Sequence, residues 1–324
     1  MSLVFITGVT GFIGSQVALH VLQAGYRVRL AIRRPEQADK IRRIFANYEG
    51  KFEFDIVPDL TLSGCYDSCL QDVQYVLHLA SPLPSSGSND LLTPAVQGTV
   101  SILESAMKVS SIRKVVITAS VVSLVSLGKV GNVSIIRENN DIDYTVDPET
   151  VPSLDPMGQY HASKLASYKA TMDFVRDHRP VFDVVTLHPV FVFGRSLIQE
   201  SPNEISGTPE LLFKTLVSET PLMEQFLGVH IDDVAGAHVR ALNDGIKGFE
   251  SYLLAAERRS LVELHAFVRS KYPQLEVKWE PTDSVNFSVD AAKAKKALGM
   301  SFKGMEEQVQ DVVDQQLELR NVVS

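Results

Sequence analysis

The chain has 324 residues, 45% of them hydrophobic and 22% charged, with a formal net charge of −8. That composition describes a globular protein with a sizeable core and excludes a disordered or low-complexity chain. Lys and Arg gather only in short clusters such as Lys40 to Arg43 and Lys293 to Lys296, which argues against a nucleic-acid partner.

In chain order, strand-like runs occupy 3–7, 26–32, 52–57, 73–80, 114–120 and 182–189. Several are apolar almost throughout, as strands covered on both faces are. Amphipathic helical patterns at 12–24, 36–48, 89–109 and 158–178 separate them. This alternation predicts an α/β fold with a doubly wound parallel sheet. After Gly194 the rhythm breaks, and 195–228 mixes Pro, Gly, Ser and Glu around one helix at 209–218. "FLGVHIDDVAGAHVRALND" then reads as a strand entering a helix capped by Asp232 or Asp233. A strand (252–256), a helix (260–270), a strand (275–279) and helices at 289–298 and 304–320 close the chain. The expected division is a sheet domain over 1–194, rejoined by 226–244, and a smaller interleaved lobe that makes up most of 195–324.

Cys65 and Cys69 are the only cysteines and are read as free thiols of a reducing compartment. The N-terminal run lacks a basic n-region and is broken by glycine. The longest apolar stretch, 115–127, carries Thr and Ser and is too short to span a bilayer. A cytoplasmic location and no membrane partner are expected.

The first strand leads into "FITGVTGFIG", with Gly8, Gly11 and Gly14 three residues apart. A strand, a glycine turn and a helix start form a dinucleotide site: Gly8 turns the chain, Gly11 admits a pyrophosphate, and Gly14 brings helix and strand together. Thr10, Phe12 and Ile13 belong to the same turn, whose N–H groups face the anion. An NAD site usually carries Asp or Glu at the end of the second strand; here the sequence is "AIRRP". Arg33 suits the 2′-phosphate of NADP, with Arg34 as a possible partner and Gln37 and Lys40 as weaker candidates.

Tyr160 and Lys164 stand one helical turn apart, so phenol and ammonium can meet one ligand. A tyrosine with a pKa near ~10 is a poor proton shuttle until a nearby cation stabilises its phenolate. A hydroxyl facing it across a carbonyl substrate is expected where the fifth strand ends in "KVVITASVV": Ser120 first, Ser123 second, with Thr118 on the cofactor side. The eight histidines show no metal-ligand spacing. His230 and His238 read as structural, His161 as surface or interface, and His188 as a strand-end residue close to the cofactor. Phe191 is a candidate pocket wall, Phe193 a weaker one.

Together these residues resemble the extended short-chain dehydrogenase/reductase superfamily over essentially the whole chain. Further matches are "HLASP" (78–82), "HPVFVFG" (188–194), "VHIDDVAGAH" (229–238) and "FSVDAAKAKKALGM" (287–300). Within it the chain is most similar to the dihydroflavonol reductase-like group, particularly fungal NADPH-dependent aldehyde and ketone reductases of the methylglyoxal type. The resemblance implies a Rossmann domain, NADP(H) as cofactor, and reduction of an aldehyde, ketone or α-dicarbonyl. Tyr160 would donate the proton, Ser120 polarise the oxygen, and Lys164 tune the phenol and hold a ribose hydroxyl. Asp59 and Leu60 fall on the adenine pocket. Leu79, Ala80 and Ser81 stand at the end of the fourth strand beside the cofactor, and Pro189 and Val192 reach the nicotinamide side. Thr208 stands near the phosphate end. Substrate contacts would come from Ser81, Ser120, Val121, Tyr160 and Phe191. Gln97 and His188 stand where relatives often carry other residues. A nucleotide-sugar epimerase or dehydratase holding NAD, and a non-catalytic dinucleotide sensor, are the alternatives. The group occurs as monomers and homodimers.

Overall fold

The structure is a computed structural model that describes residues 2–82, 90–282 and 287–323. The first residue of the helix expected at 89–109 lies outside the described residues. In chain order the first half contains β1 (Leu3–Thr7), α1 (Phe12–Gln23), β2 (Arg27–Ile32), α2 (Gln37–Ile44), β3 (Phe52–Ile56), β4 (Tyr75–His78), α3 (Leu92–Met107), β5 (Lys114–Thr118) and β6 (Ile135–Ile136). Then come α4 (Pro156–His178), β7 (Asp183–Pro189), β8 (Phe191–Phe193), α5 (Gly207–Val217), β9 (Gly228–His230) and α6 (Ile231–Ala241). The chain closes with β10 (Phe249–Leu254), α7 (Leu261–Lys271), β11 (Ser288–Val289), α8 (Ala292–Ala297) and α9 (Met305–Val323).

Seven strands form one sheet in the order β10-β7-β5-β4-β1-β2-β3. Every pair in it is parallel, as the near-continuous apolar runs require. All five residues of β1 are buried, alternate ones feeding opposite layers. Val4 and Ile6 join Val17 and Val21 of α1 and Val234 of α6, while Phe5 meets Ile102 and Leu103 of α3 and Phe174 of α4. From β1 the chain builds outward through β2 and β3, then crosses to β4 and continues the other way. The C-terminal ends of β1 and β4 therefore flank the reversal of strand order, where open α/β sheets bind ligands.

A separate core, with Phe193, Leu212, Phe226, Leu264, Trp279 and Val309 among its members, belongs to the smaller lobe. The two halves are more deeply interleaved than a return of 226–244 alone. β10 pairs with β7 at the sheet edge, and Ala294 and Leu298 join the β1 layer of the core.

Two local expectations are corrected. No strand forms at 275–279. Leu275, Val277 and Trp279 do bury alternately, but into the lobe core, and the Trp279 indole donates to the Thr215 carbonyl at 2.7 Å. Period-2 burial thus arises without a neighbouring strand to pair with. The cap of α6 is neither Asp232 nor Asp233 but His230, whose Nδ1 accepts the Asp232 N–H at 3.1 Å.

Candidate active site

At the end of β1, Gly8 adopts φ +79°, and a Cβ there would lie 2.8 Å from the Ala80 backbone nitrogen. A Cβ on Gly14 would come within 2.0 Å of the Gly8 carbonyl oxygen. Both glycines are demanded by the protein's own packing. Gly11 differs: a Cβ there meets only the Gly8 oxygen, at 3.4 Å. It stands exposed at the N-cap of α1 with no side-chain cap, and the first turn carries no acid. The free N–H groups and helix dipole at this end favour an anion. Thr10, Phe12 and Ile13 are half-buried around it.

Thr7 stitches this turn to the end of β4. Its Oγ1 accepts the N–H groups of Leu79 and Ala80, both at 3.1 Å. Its one proton is therefore available to His78 Nδ1, 3.0 Å away. Burial lowers the His78 pKa to about 3 and keeps the ring neutral. Sequence reading passed over this pair; the one available signal was a polar residue closing a fully apolar strand.

At the end of β2, Gln37 Oε1 accepts the backbone N–H groups of Arg33 and Arg34 at 2.9 and 3.0 Å, and both arginines are exposed. Gln37 thus shapes the turn. Lys40 is held by Glu200 and Glu204 at 3.5 and 3.4 Å. Asp59 accepts from the Thr61 backbone and hydroxyl at 2.9 and 2.6 Å; these bonds, with the nearby Arg33 charge, keep its carboxyl below the usual range. Leu60 packs over α3, its Cδ1 lying 2.1 Å from where a Cβ on Gly98 would stand.

Asp155 starts α4 by accepting the Gly158 N–H at 2.6 Å, with Pro156 in the first turn. This places Tyr160 and Lys164 successively along the crevice. Ser120, which follows β5 and is 7% exposed, stands close enough to the Tyr160 phenol to lower its pKa. Lys164 Nζ sits 5.6 Å from the Tyr160 ring centroid and donates to Ser81 Oγ at 2.9 Å. Burial lowers the Lys164 pKa to about 8. It raises that of Tyr160, against which the nearby Ser120 hydroxyl acts. Burial sets the direction of the phenol, Ser120 opposes it, and the expected lowering by the lysine is not among the effects here.

Ser81, Ser120, Tyr160 and Lys164 thus converge, whereas other expected residues are engaged elsewhere. The Thr118 hydroxyl meets His238 Nε2 at 2.7 Å, and the Thr208 hydroxyl donates to the Val192 carbonyl. Val192 is a core side chain, Pro189 closes β7, and Val121 and Phe191 are half-buried. Phe191 and Phe193 pack 6.3 Å apart at the edge of the lobe core. His161 is corrected from surface to interior: it is buried, with Nε2 2.8 Å from the Val125 carbonyl. Beside Lys164 a cavity of about 20 Å³, lined by Ser81, Thr118, Ser167 and Thr171 among others, has room for roughly one water.

Among the described residues no grouping of His, Cys, Asp or Glu is arranged to hold a metal ion, and no helix is long and apolar enough to cross a membrane.

The model of the NAD dependent epimerase/dehydratase family matches residues 4–255. Ketoreductase sphI of Aspergillus fumigatus is 39% identical, over 99% of each chain. Yeast methylglyoxal/isovaleraldehyde reductase Gre2, solved with NADPH, superposes with a TM-score of 0.87 at 25% identity, covering 98% of this chain and 99% of its own. Alfalfa vestitone reductase shares the fold, with a TM-score of 0.81 at 23% identity over 99% of each chain. Glycine turn, parallel sheet and family match agree, and the chain belongs to the NAD-dependent epimerase/dehydratase family, the extended short-chain dehydrogenases/reductases.

Proposed function

We propose that the protein is an NADPH-dependent reductase of small aldehydes, ketones or α-dicarbonyls. The carrying observation is the convergence of Ser120, Tyr160 and Lys164 at the edge of the sheet that holds the glycine turn. The names of the ketoreductase relative and of the NADPH-bound Gre2 neighbour support the same chemistry.

The residues fit the cofactor. The open flank of Gly11 and the uncapped start of α1 suit a pyrophosphate, with Gly8, Thr10, Phe12, Ile13 and Gly14 completing the turn. Arg33, beside Asp59, supplies a guanidinium for a 2′-phosphate. Asp59 and Leu60 would border the adenine, and Leu79, Ala80, Ser81 and Thr118 the middle of the molecule. Pro189 and Val192 would border the nicotinamide, with Thr208 near the phosphates. Bound NADPH supplies the hydride that the carbonyl carbon takes up.

The protein's own part is to handle the oxygen. Ser120 donates a hydrogen bond to the substrate oxygen and Tyr160 gives it a proton, yielding the alcohol and a phenolate. Lys164, released from Ser81 to a ribose hydroxyl, brings a positive charge that stabilises the phenolate until solvent reprotonates it. Val121, Ser81 and Phe191 would border the substrate, with the lobe after residue 195 shaping the far side.

Purified protein mixed with NADPH and a panel of small carbonyl compounds should consume the cofactor. Arg33→Ala should weaken NADPH far more than NADH. A copurified, non-exchanging NAD would indicate a nucleotide-sugar enzyme, and binding without turnover a sensor. Either outcome would contradict the reading.

A further inference from the structure

We propose that His188, acting with Ser123, is a positioning residue for Ser120: it fixes the backbone that aims the Ser120 hydroxyl at Tyr160. The inference rests on the catalytic reading of Ser120 and Tyr160 given above.

Three groups converge on the Ser120 carbonyl. The Ser123 N–H donates to it at 3.0 Å, the Ser123 hydroxyl donates at 2.5 Å, and His188 Nδ1 lies 3.2 Å away. The same Nδ1 is 2.9 Å from Ser123 Oγ. A carbonyl with this many donors has little freedom to rotate, and its side chain follows it. On its other side, His188 Nε2 is 2.8 Å from Thr186 Oγ1. Thr186 bonds Ser251 at 2.8 Å, and Ser251 bonds Tyr168 at 2.8 Å. The chain of contacts therefore runs from β10 at the sheet edge, through β7, to the residue that follows β5.

His188 is fully enclosed, with the edge of the Tyr168 ring packed against it at 4.7 Å between centroids. Burial keeps the ring neutral, and the charged groups near it, Lys164 and Lys293, are both cationic and add to that effect against the pull of the Ser120 carbonyl. Its ring nitrogens are taken up by Ser120, Ser123 and Thr186. What it can do is hold. A satisfied buried network rigidifies the group at its end, and catalytic alignment is sensitive to displacements of an ångström.

The test compares His188→Leu, His188→Asn and Ser123→Ala with the unaltered enzyme and with Tyr160→Phe. An Asn amide can place nitrogen where Nδ1 stands. His188→Leu should lower kcat about 10- to 100-fold with KM for NADPH unchanged. It should also raise the pKa that limits alcohol oxidation, because the phenol loses the lowering effect of the nearby Ser120 hydroxyl. His188→Asn should recover much of both. Ser123→Ala should move both in the same direction by a smaller factor, and it decides the matter if the Leu variant fails to fold. A crystal structure of the unliganded His188→Leu protein should show the Ser120 hydroxyl withdrawn from Tyr160.

If His188→Leu and Ser123→Ala keep the native kcat and pH limb, the assignment is wrong. An equal loss in the Leu and Asn variants with an unmoved pH limb would also overturn it, since only a structural role remains. Turnover retained by Tyr160→Phe would instead remove the catalytic reading itself.

Discussion

Lys164 has to carry charge where burial disfavours it. Its pKa falls to about 8 because its surroundings desolvate the ammonium, and it donates to the neutral Ser81 hydroxyl. The unfolded chain holds this proton up to about 10.4. Between pH 8 and that value the unfolded state binds more protons, so this residue makes stability rise with pH; below 8 its full cost is present. Lys164→Met should therefore lose reductase activity yet melt about 2–4 °C higher at pH 7, with the gain shrinking toward pH 10. A lower melting temperature at pH 7 would mean that Lys164 stabilises the fold. Tyr160→Phe keeps the ring and removes only the proposed proton donor, so turnover should fall by about 10²–10⁴ while NADPH titration by fluorescence stays nearly unchanged. The sequence revealed the Tyr–Lys pair through its spacing. It did not reveal that burial would dominate the phenol, because desolvation depends on what the crevice brings close.

Among the elements, the glycine turn yields the sharpest contrast. Gly14→Ala would drive a Cβ to 2.0 Å from the Gly8 oxygen, forcing α1 away from β1. Gly11→Ala meets nothing in the protein closer than 3.4 Å. The first should depress the melting temperature of the cofactor-free protein; the second should leave it intact and weaken NADPH binding. Equal effects on cofactor-free stability would show that Gly11 is not kept for a ligand. The long elements were legible because β1, β4, β5 and β7 are apolar runs and α1, α3 and α4 are long enough for their periodicity to register. Short ones escaped. β6, β8 and β11 have two or three residues each, too few for a pattern. At 275–279 a strand-like alternation served the lobe core with no partner beside it. The His230 cap was hidden because Asp232 and Asp233 are the better capping residues by type, and only the turn geometry turned a ring nitrogen to the Asp232 N–H.

Over the whole molecule, polar contacts as well as core packing tie α9 to the segment after β8 and to the end of β9. On α9, Gln316 and Gln199 exchange amide hydrogen bonds at 3.3 and 3.0 Å, Gln315 does the same with the backbone of Ser196, and Asp311 meets His230 at 2.9 Å. Inside the sheet domain three neutral histidines report on acid. Burial lowers His78 and His188 to about 3 and His238 to about 4. The unfolded chain protonates near 6.5, so between that value and about 4 it binds more protons than the native protein, and stability falls as pH falls. Each histidine contributes about 1.4 kcal/mol per pH unit in that window. Urea midpoints should drop steeply from pH 6.5 to 4, and His238→Gln should flatten the slope; a flat wild-type profile would show that the histidines are not desolvated as described. How the two halves interleave could not be read in advance, since the return of β10 to β7 depends on contacts far apart in sequence. The most direct test of the central claim is isotopic. Enzyme supplied with NADPH deuterated at nicotinamide C4 on the transferred face, and with a carbonyl substrate it consumes, should place the deuterium on the carbinol carbon of the product, and Tyr160→Phe should stop that transfer. Label remaining wholly in the oxidised cofactor, or transfer undiminished in the variant, would contradict the account.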